Sequence, residues 1–179
     1  MTTMEHMQPS EYSTLLNRFQ TLFPVSLLIS LTLFGGGPLH AQSYPSAGET
    51  KANLEMLGYH NEWQPTQEGE KLVIDSGEIW INNEDTFALL AVIDDDEDAM
   101  RTSIIDNLAI CATLGVAVSG QSSVHAFKTF GSLMGSALSH PKKQLFNDAL
   151  AFRFHLMVSD DSGQATILRC GVQASNTSS

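Results

Sequence analysis

Phe87-Ala88-Leu89-Leu90-Ala91-Val92-Ile93 is an unbroken apolar run, closed at once by Asp94-Asp95-Asp96-Glu97-Asp98. Apolar residues in uninterrupted succession suit a strand covered on both faces, central in its sheet or lying at an interface. Beyond the acids the period changes. Met100, Ile104, Ile105, Leu108, Cys111 and Ala112 share one stripe of a helix expected to end near Leu114-Gly115. Carboxylates in its first turn accept free N–H groups and face the positive end of the helix dipole. A strand that passes into a helix through an acidic cap points to a fold mixing both elements.

Working back from this stretch, Leu72 and Ile74 alternate with Lys71 and Val73, Asp75-Ser76-Gly77 forms a turn, and Ile79 and Ile81 flank Trp80. With Asn82-Asn83-Glu84-Asp85 as the next turn, these segments and the apolar run make a three-stranded meander. Lys51 to Leu57 offers a short helix ended by Gly58, and Tyr59 and Trp63 are expected to fold back as core lids.

Working forward, residues 115–121 carry no assignable pattern. Ser122 or Ser123 caps a second helix bearing Val124, Phe127, Phe130, Met134, Ala137 and Leu138, on which Gly131 and Gly135 would let another backbone approach closely. Pro141 is placed to begin a third helix through Leu145, Phe146, Ala149 and Leu150. Phe152, Phe154, Leu156 and Val158 then alternate with Arg153, His155 and Met157, and a turn at Ser159 to Gly163 leads into Gln164 to Val172, a hairpin. The class is therefore α+β: an antiparallel sheet of about five strands, the meander plus the C-terminal hairpin, with two or three helices on one face. The order resembles, as architecture and without a shared motif, that of chaperone-like domains of secretion systems.

The chain has 179 residues, 42% of them hydrophobic and 16% charged, enough for one core. Leu22 to Phe34 is an apolar run without charge that breaks at Gly35-Gly36-Gly37-Pro38. It is shorter than the roughly 18 to 20 residues of a membrane span and fits the roughly 7 to 15 of a secretory apolar region. Leu39-His40-Ala41 supplies a small residue before the cut. Residues 1–41 are thus expected to be a signal peptide, 42–49 a flexible leader, 50–174 the single domain and 175–179 a disordered tail. An uncleaved anchor and a buried core helix are the competing readings of the run. Cleavage leaves no stable membrane anchor, and the protein is expected in a periplasm or outside the cell. There Cys111 and Cys170 are free to pair.

The formal charge of −11 becomes −10 when Arg18, Glu5 and Glu11 leave with the signal peptide. That balance opposes nucleic-acid and anionic-membrane binding and makes a basic protein the natural partner. No phosphate loop, dinucleotide fingerprint, nucleophile elbow, metalloprotease motif or Cys-x-x-Cys occurs, so no catalytic residue, metal or cofactor is assigned. His60, His125, His140 and His155 are too scattered for a metal-ligand set. The partner-binding candidates are Asp94, Asp95, Asp96, Glu97 and Asp98 as an acidic surface, together with Arg153, His155 and Arg169. If Val158 pairs with Gln164, Arg153 lies opposite Arg169 on the face that carries His155, and like charges in that position need an acid or an external anion between them.

The expected function is an exported, non-catalytic protein-binding module, an inhibitor, immunity or chaperone-like protein. The alternative is a small exported hydrolase or transferase using His155, His125 and a carboxylate. Self-association would follow if Phe87 to Ile93 formed an exposed sheet edge.

Overall fold

The computed structural model describes residues 43–93, 96–149, 151–161 and 165–175. The signal peptide expected over residues 1–41, Asp94 and Asp95 of the acidic run, and residues 176–179 of the tail lie outside them. All described residues fall in one unit, Ala41–Ser179. Its elements in chain order are α1 (Ala47–Met56), β1 (Gln64–Pro65), β2 (Glu70–Ile74), β3 (Gly77–Ile81), β4 (Asp85–Val92), α2 (Glu97–Ser119), α3 (Ser123–Ser139), β5 (Leu145–Ala149), β6 (Phe152–Asp161) and β7 (Ala165–Ala174).

The fold is α+β, with one antiparallel sheet in the order β1-β2-β3-β4-β7-β6-β5. It has seven strands, two more than the sequence suggests. One addition is the short β1. The other is β5, where a third helix was expected. The apolar spacing of Leu145, Phe146 and Ala149 mimics a helix, but the segment lies antiparallel on β6, where each residue from Leu145 to Ala149 gains a ladder partner; Leu150 of the expected helix lies outside the described residues.

Strand β4 lies between β3 and β7. The apolar run is therefore central, and the exposed edge on which its self-association depended does not exist. Even-numbered side chains of β4, β6 and β7 turn to the helices: Ala88, Leu90, Phe154, Leu156, Leu168, Cys170 and Val172 are fully buried. On α2 and α3 they meet Cys111, Leu114, Phe130 and Met134. Phe130 and Phe154 make an edge-to-face contact, ring centres 5.4 Å apart.

Local chemistry sets the helix ends. Asp96 caps α2, accepting from the Ala99 N–H at 2.7 Å, and Glu97 and Asp98 occupy the first turn. The helix runs past the expected stop at Leu114-Gly115 and ends at Gly120, whose φ of 66° is left-handed. Gly115 instead marks close packing. A β-carbon there would lie 3.0 Å from Ala126 Cβ and 3.2 Å from Phe154 Cε1. The close helix approach expected at Gly131 and Gly135 is thus found at Gly115, and nothing among the described residues lies within 4 Å of a β-carbon at either of the other two.

Helix α1 begins at Ala47, ahead of the expected Lys51, because Ser46 and Glu49 form a capping box. Tyr44 precedes it and docks on the sheet, donating to Thr86 Oγ1 at 2.8 Å with the Val172 carbonyl oxygen at 3.1 Å as a second acceptor. The described part of the leader is thus anchored rather than free. Asn53 ties α1 to α2 by donating to the Ala117 carbonyl at 2.8 Å.

Cys111 of α2 and Cys170 of β7 form a disulfide, Cα atoms 5.8 Å apart. It joins the helix layer to the middle of the sheet, and both residues are fully buried. Such bonds persist in oxidising compartments, which fits a location outside the cytoplasm.

Candidate functional site

The helices cover one face of the sheet. Across the other, the register lines up Lys71, Trp80, Phe87, Gly171, His155 and Phe146 in a row that crosses from β2 to β5. Trp80 and Phe87 lie parallel, 2° between planes and 6.1 Å between centres. Lys71 Nζ stands 5.5 Å from the Trp80 ring centre, and the Arg169 guanidinium 4.2 Å from that of Phe87. At the far end Arg153 stands 5.5 Å from the centre of Phe146, which is 50% exposed. The face is thus built of cations interleaved with aromatic rings.

Each cation also has a carboxylate. Lys71 meets Glu78 Oε1 at 2.7 Å, and Trp80 Nε1 donates to Glu78 Oε2 at 3.0 Å. The Lys71 ammonium holds the Glu78 carboxyl below the usual carboxylate range. Arg153 grips Asp148 through Nε at 2.6 Å and Nη2 at 3.2 Å, which lowers the Asp148 pKa and raises that of Arg153. Arg169 Nη2 lies 3.5 Å from Asp85 Oδ2. Among the described side chains of this face, Lys71, Arg153 and Arg169 therefore balance Glu78, Asp85 and Asp148, on a chain whose net charge is −11.

At the centre, His155 has no solvent-exposed surface, and its Nε2 meets Asp85 Oδ1 at 2.8 Å. Gly171 makes that reach possible. A β-carbon on it would stand 2.7 Å from His155 Nε2 and 2.6 Å from both Phe87 Cβ and the Thr86 carbonyl oxygen. His155 Nδ1 and Arg169 Nε are buried without a hydrogen-bond partner. His155 therefore presents no nitrogen to solvent.

The structure rearranges the candidate residues. The β6–β7 register sets Arg153 against Gln173 and Arg169 against Met157 rather than the two arginines against each other. Both strands are longer than expected, β6 running to Asp161 and β7 from Ala165 to Ala174. The shift of four positions preserves the faces, so Arg153, His155 and Arg169 still share one side. Acids do offset these groups: Asp85 faces His155 and Arg169, and Asp148 faces Arg153. Asp96, Glu97 and Asp98 cap α2 beyond the opposite end of β4 from Asp85, so the two halves of the expected surface are separate. The decisive additions, Trp80, Phe87, Asp85 and Gly171, were visible only as strand and turn residues. Glycine inside a strand was the available signal for a close approach.

His125 lies in the first turn of α3, in the helix layer, while His155 meets the Asp85 carboxylate on the helix-free face, so the two histidines of the alternative reading do not come together. His140 Nδ1 lies 3.0 Å from the Ser136 carbonyl at the end of α3, and His60 is exposed in a loop. Among the described residues no three His, Cys, Asp or Glu side chains converge. A cavity of about 190 Å³ opens between α2, α3 and the sheet, lined by apolar groups such as Val92, Met100, Ile104, Met134 and Leu168. It contains no titratable group and falls below the roughly 300 to 1,000 Å³ of common small-molecule sites.

Comparison with known proteins finds no matching family model, no similar curated protein and no similar solved structure.

Proposed function

We propose that the chain is an exported, non-catalytic protein-binding module whose contact surface is the helix-free face of the sheet. The observation that carries this reading is the row of cations and aromatic rings, balanced in charge on an otherwise acidic molecule. Aromatic residues and Arg are enriched where interfaces hold their energy, and a charge buried there needs a partner. Trp80, Phe87, Arg169 and Phe146 supply the first group, and the carboxylates supply the partners. The net negative charge of the chain steers a basic partner toward the molecule at a rate that falls with ionic strength. The buried disulfide agrees with export, and cleavage after Ala41 completes the reading.

Affinity capture from the native extract at low and high salt tests it, with Trp80→Ala and Arg169→Ala as controls. The expected result is a basic protein retained by the wild type, lost at high salt and weakened at least tenfold by either substitution. Retention unaffected by both substitutions, or a metabolite carried through purification in place of a protein, overturns it. Amino-terminal sequencing of the native protein should begin at Gln42.

A further inference from the structure

The two edges of the sheet are built differently. At one, β1 is two residues long and contains Pro65, and Asn61 Nδ2 occupies the Val73 carbonyl at 3.0 Å. Both devices blunt an edge against pairing. At the other, Leu145–Ala149 of β5 has no proline, and Phe146 is half exposed.

The ladder fixes which backbone groups β5 offers. The Ser175 N–H donates to the Ala151 carbonyl at 2.9 Å, continuing the β6–β7 register. Odd-numbered residues of β6 therefore exchange hydrogen bonds with β7, and even-numbered ones with β5. Leu145, Asn147 and Ala149 are the partners of those even residues, which leaves the N–H and C=O of Phe146 and Asp148 directed outward. Among the described residues neither has a further backbone partner.

We propose that β5 pairs antiparallel with β5 of a second copy, about a two-fold axis through Asn147. Bonded pairs need outward groups on both sides, so a symmetric register can be centred on Phe146, Asn147 or Asp148. Centring on Asp148 opposes two carboxylates, which is destabilising. Centring on Phe146 overlaps only part of the strand. Centring on Asn147 pairs the whole strand and sets Phe146 against Asp148 of the second copy. Arg153 already stands over Phe146 and grips its own Asp148, so each carboxylate entering the interface meets a cation. The axis is perpendicular to the sheet, so both helix-free faces lie on the same side of one continuous sheet. This inference goes beyond the partner-binding reading, and neither needs the other.

Net charge opposes the association, because two strongly acidic chains repel until salt screens them within a Debye length of about 8 Å at physiological ionic strength. Dimerisation therefore strengthens with salt, opposite to binding of a basic partner. Sedimentation equilibrium of the purified protein over a concentration series, at low and high salt, is the primary measurement. A second is cross-linking of Asn147→Cys. Cα atoms of a non-bonded antiparallel pair are about 4.5 Å apart, within disulfide reach. The wild type should dimerise more strongly at high salt. Phe146→Pro, which removes an outward N–H and spares the bonds to β6, should be monomeric with an unchanged circular dichroism spectrum. Asn147→Cys should oxidise to a covalent dimer, and Asp148→Cys should not. A wild type that stays monomeric throughout overturns the proposal, as does a dimer that survives Phe146→Pro and cross-links through position 148 instead of 147.

Discussion

His155 and Asp85 are 70 positions apart in sequence, and their side chains meet at 2.8 Å because the residue between them in space, Gly171, has no side chain. The pair joins β6 to β4 across β7, and Arg169 completes it from one side.

Gly171→Ala should therefore destabilise the protein although alanine is small and Gly171 is extended backbone. Two of the nearest atoms are the Thr86 carbonyl oxygen and Phe87 Cβ, which can move only with β4. The loss expected is about 2 kcal/mol, within the range for overpacked cores, read as a lower urea midpoint at unchanged slope.

Asp85→Ala leaves His155 Nε2 buried with no acceptor, at a cost of about 1–3 kcal/mol. Removing the buried imidazole as well, in Asp85→Ala/His155→Phe, should recover part of that loss. Urea unfolding of the single and double variants gives the coupling; strict additivity would mean that the two groups do not interact.

Reduction or a Cys111→Ala/Cys170→Ala replacement opens a loop with a sequence separation of 59. In the chain-entropy model this costs about 4 kcal/mol. Denaturant midpoints with and without reductant measure it, and thiol titration of the unreduced, unfolded protein should find no free sulfhydryl.

Two ionisations set opposite limits on pH. Burial raises the Tyr44 pKa, so the native state favours the protonated phenol. Its contribution is complete below the ordinary phenol range near pH ~10 and is lost as pH rises above it, because the unfolded chain gives up the proton first. Tyr44→Phe should flatten the alkaline limb of a stability–pH curve. Glu78 has the reverse sign: its lowered pKa contributes stability above the usual carboxylate range, lost as pH falls through the folded value. Glu78→Gln should flatten the acid limb, by a small amount since the Lys71–Glu78 pair is partly solvated.

The class of the fold was legible because strand and helix periods alternate cleanly around Phe87–Ile93, and the Cys111–Cys170 bond was legible because the expected oxidising compartment leaves the two cysteines free to pair. Strand β5 was not, because Leu145, Phe146 and Ala149 satisfy helical spacing while the deciding term is a ladder with β6. Arg153, His155 and Arg169 were placed together correctly as sharing a face. Their partners were missed: Asp85 was assigned to a turn, and its reach to His155 depends on a register that the length of the β6–β7 hairpin decides. The aromatic row was out of view for a similar reason. Trp80 and Phe87 become neighbours only when β3 pairs with β4, and Arg169 joins them only from β7.

The place of β7 also governs how the chain matures. It is inserted between β4 and β6, so during synthesis the meander and the helices emerge from the ribosome while the long side of β4 is still bare. Phe87 to Val92 then waits, apolar and unpaired along that side, for residues 165–174. A chain arrested before that point presents a template for misassembly, and a holdase acting in the interval would shield this one strand.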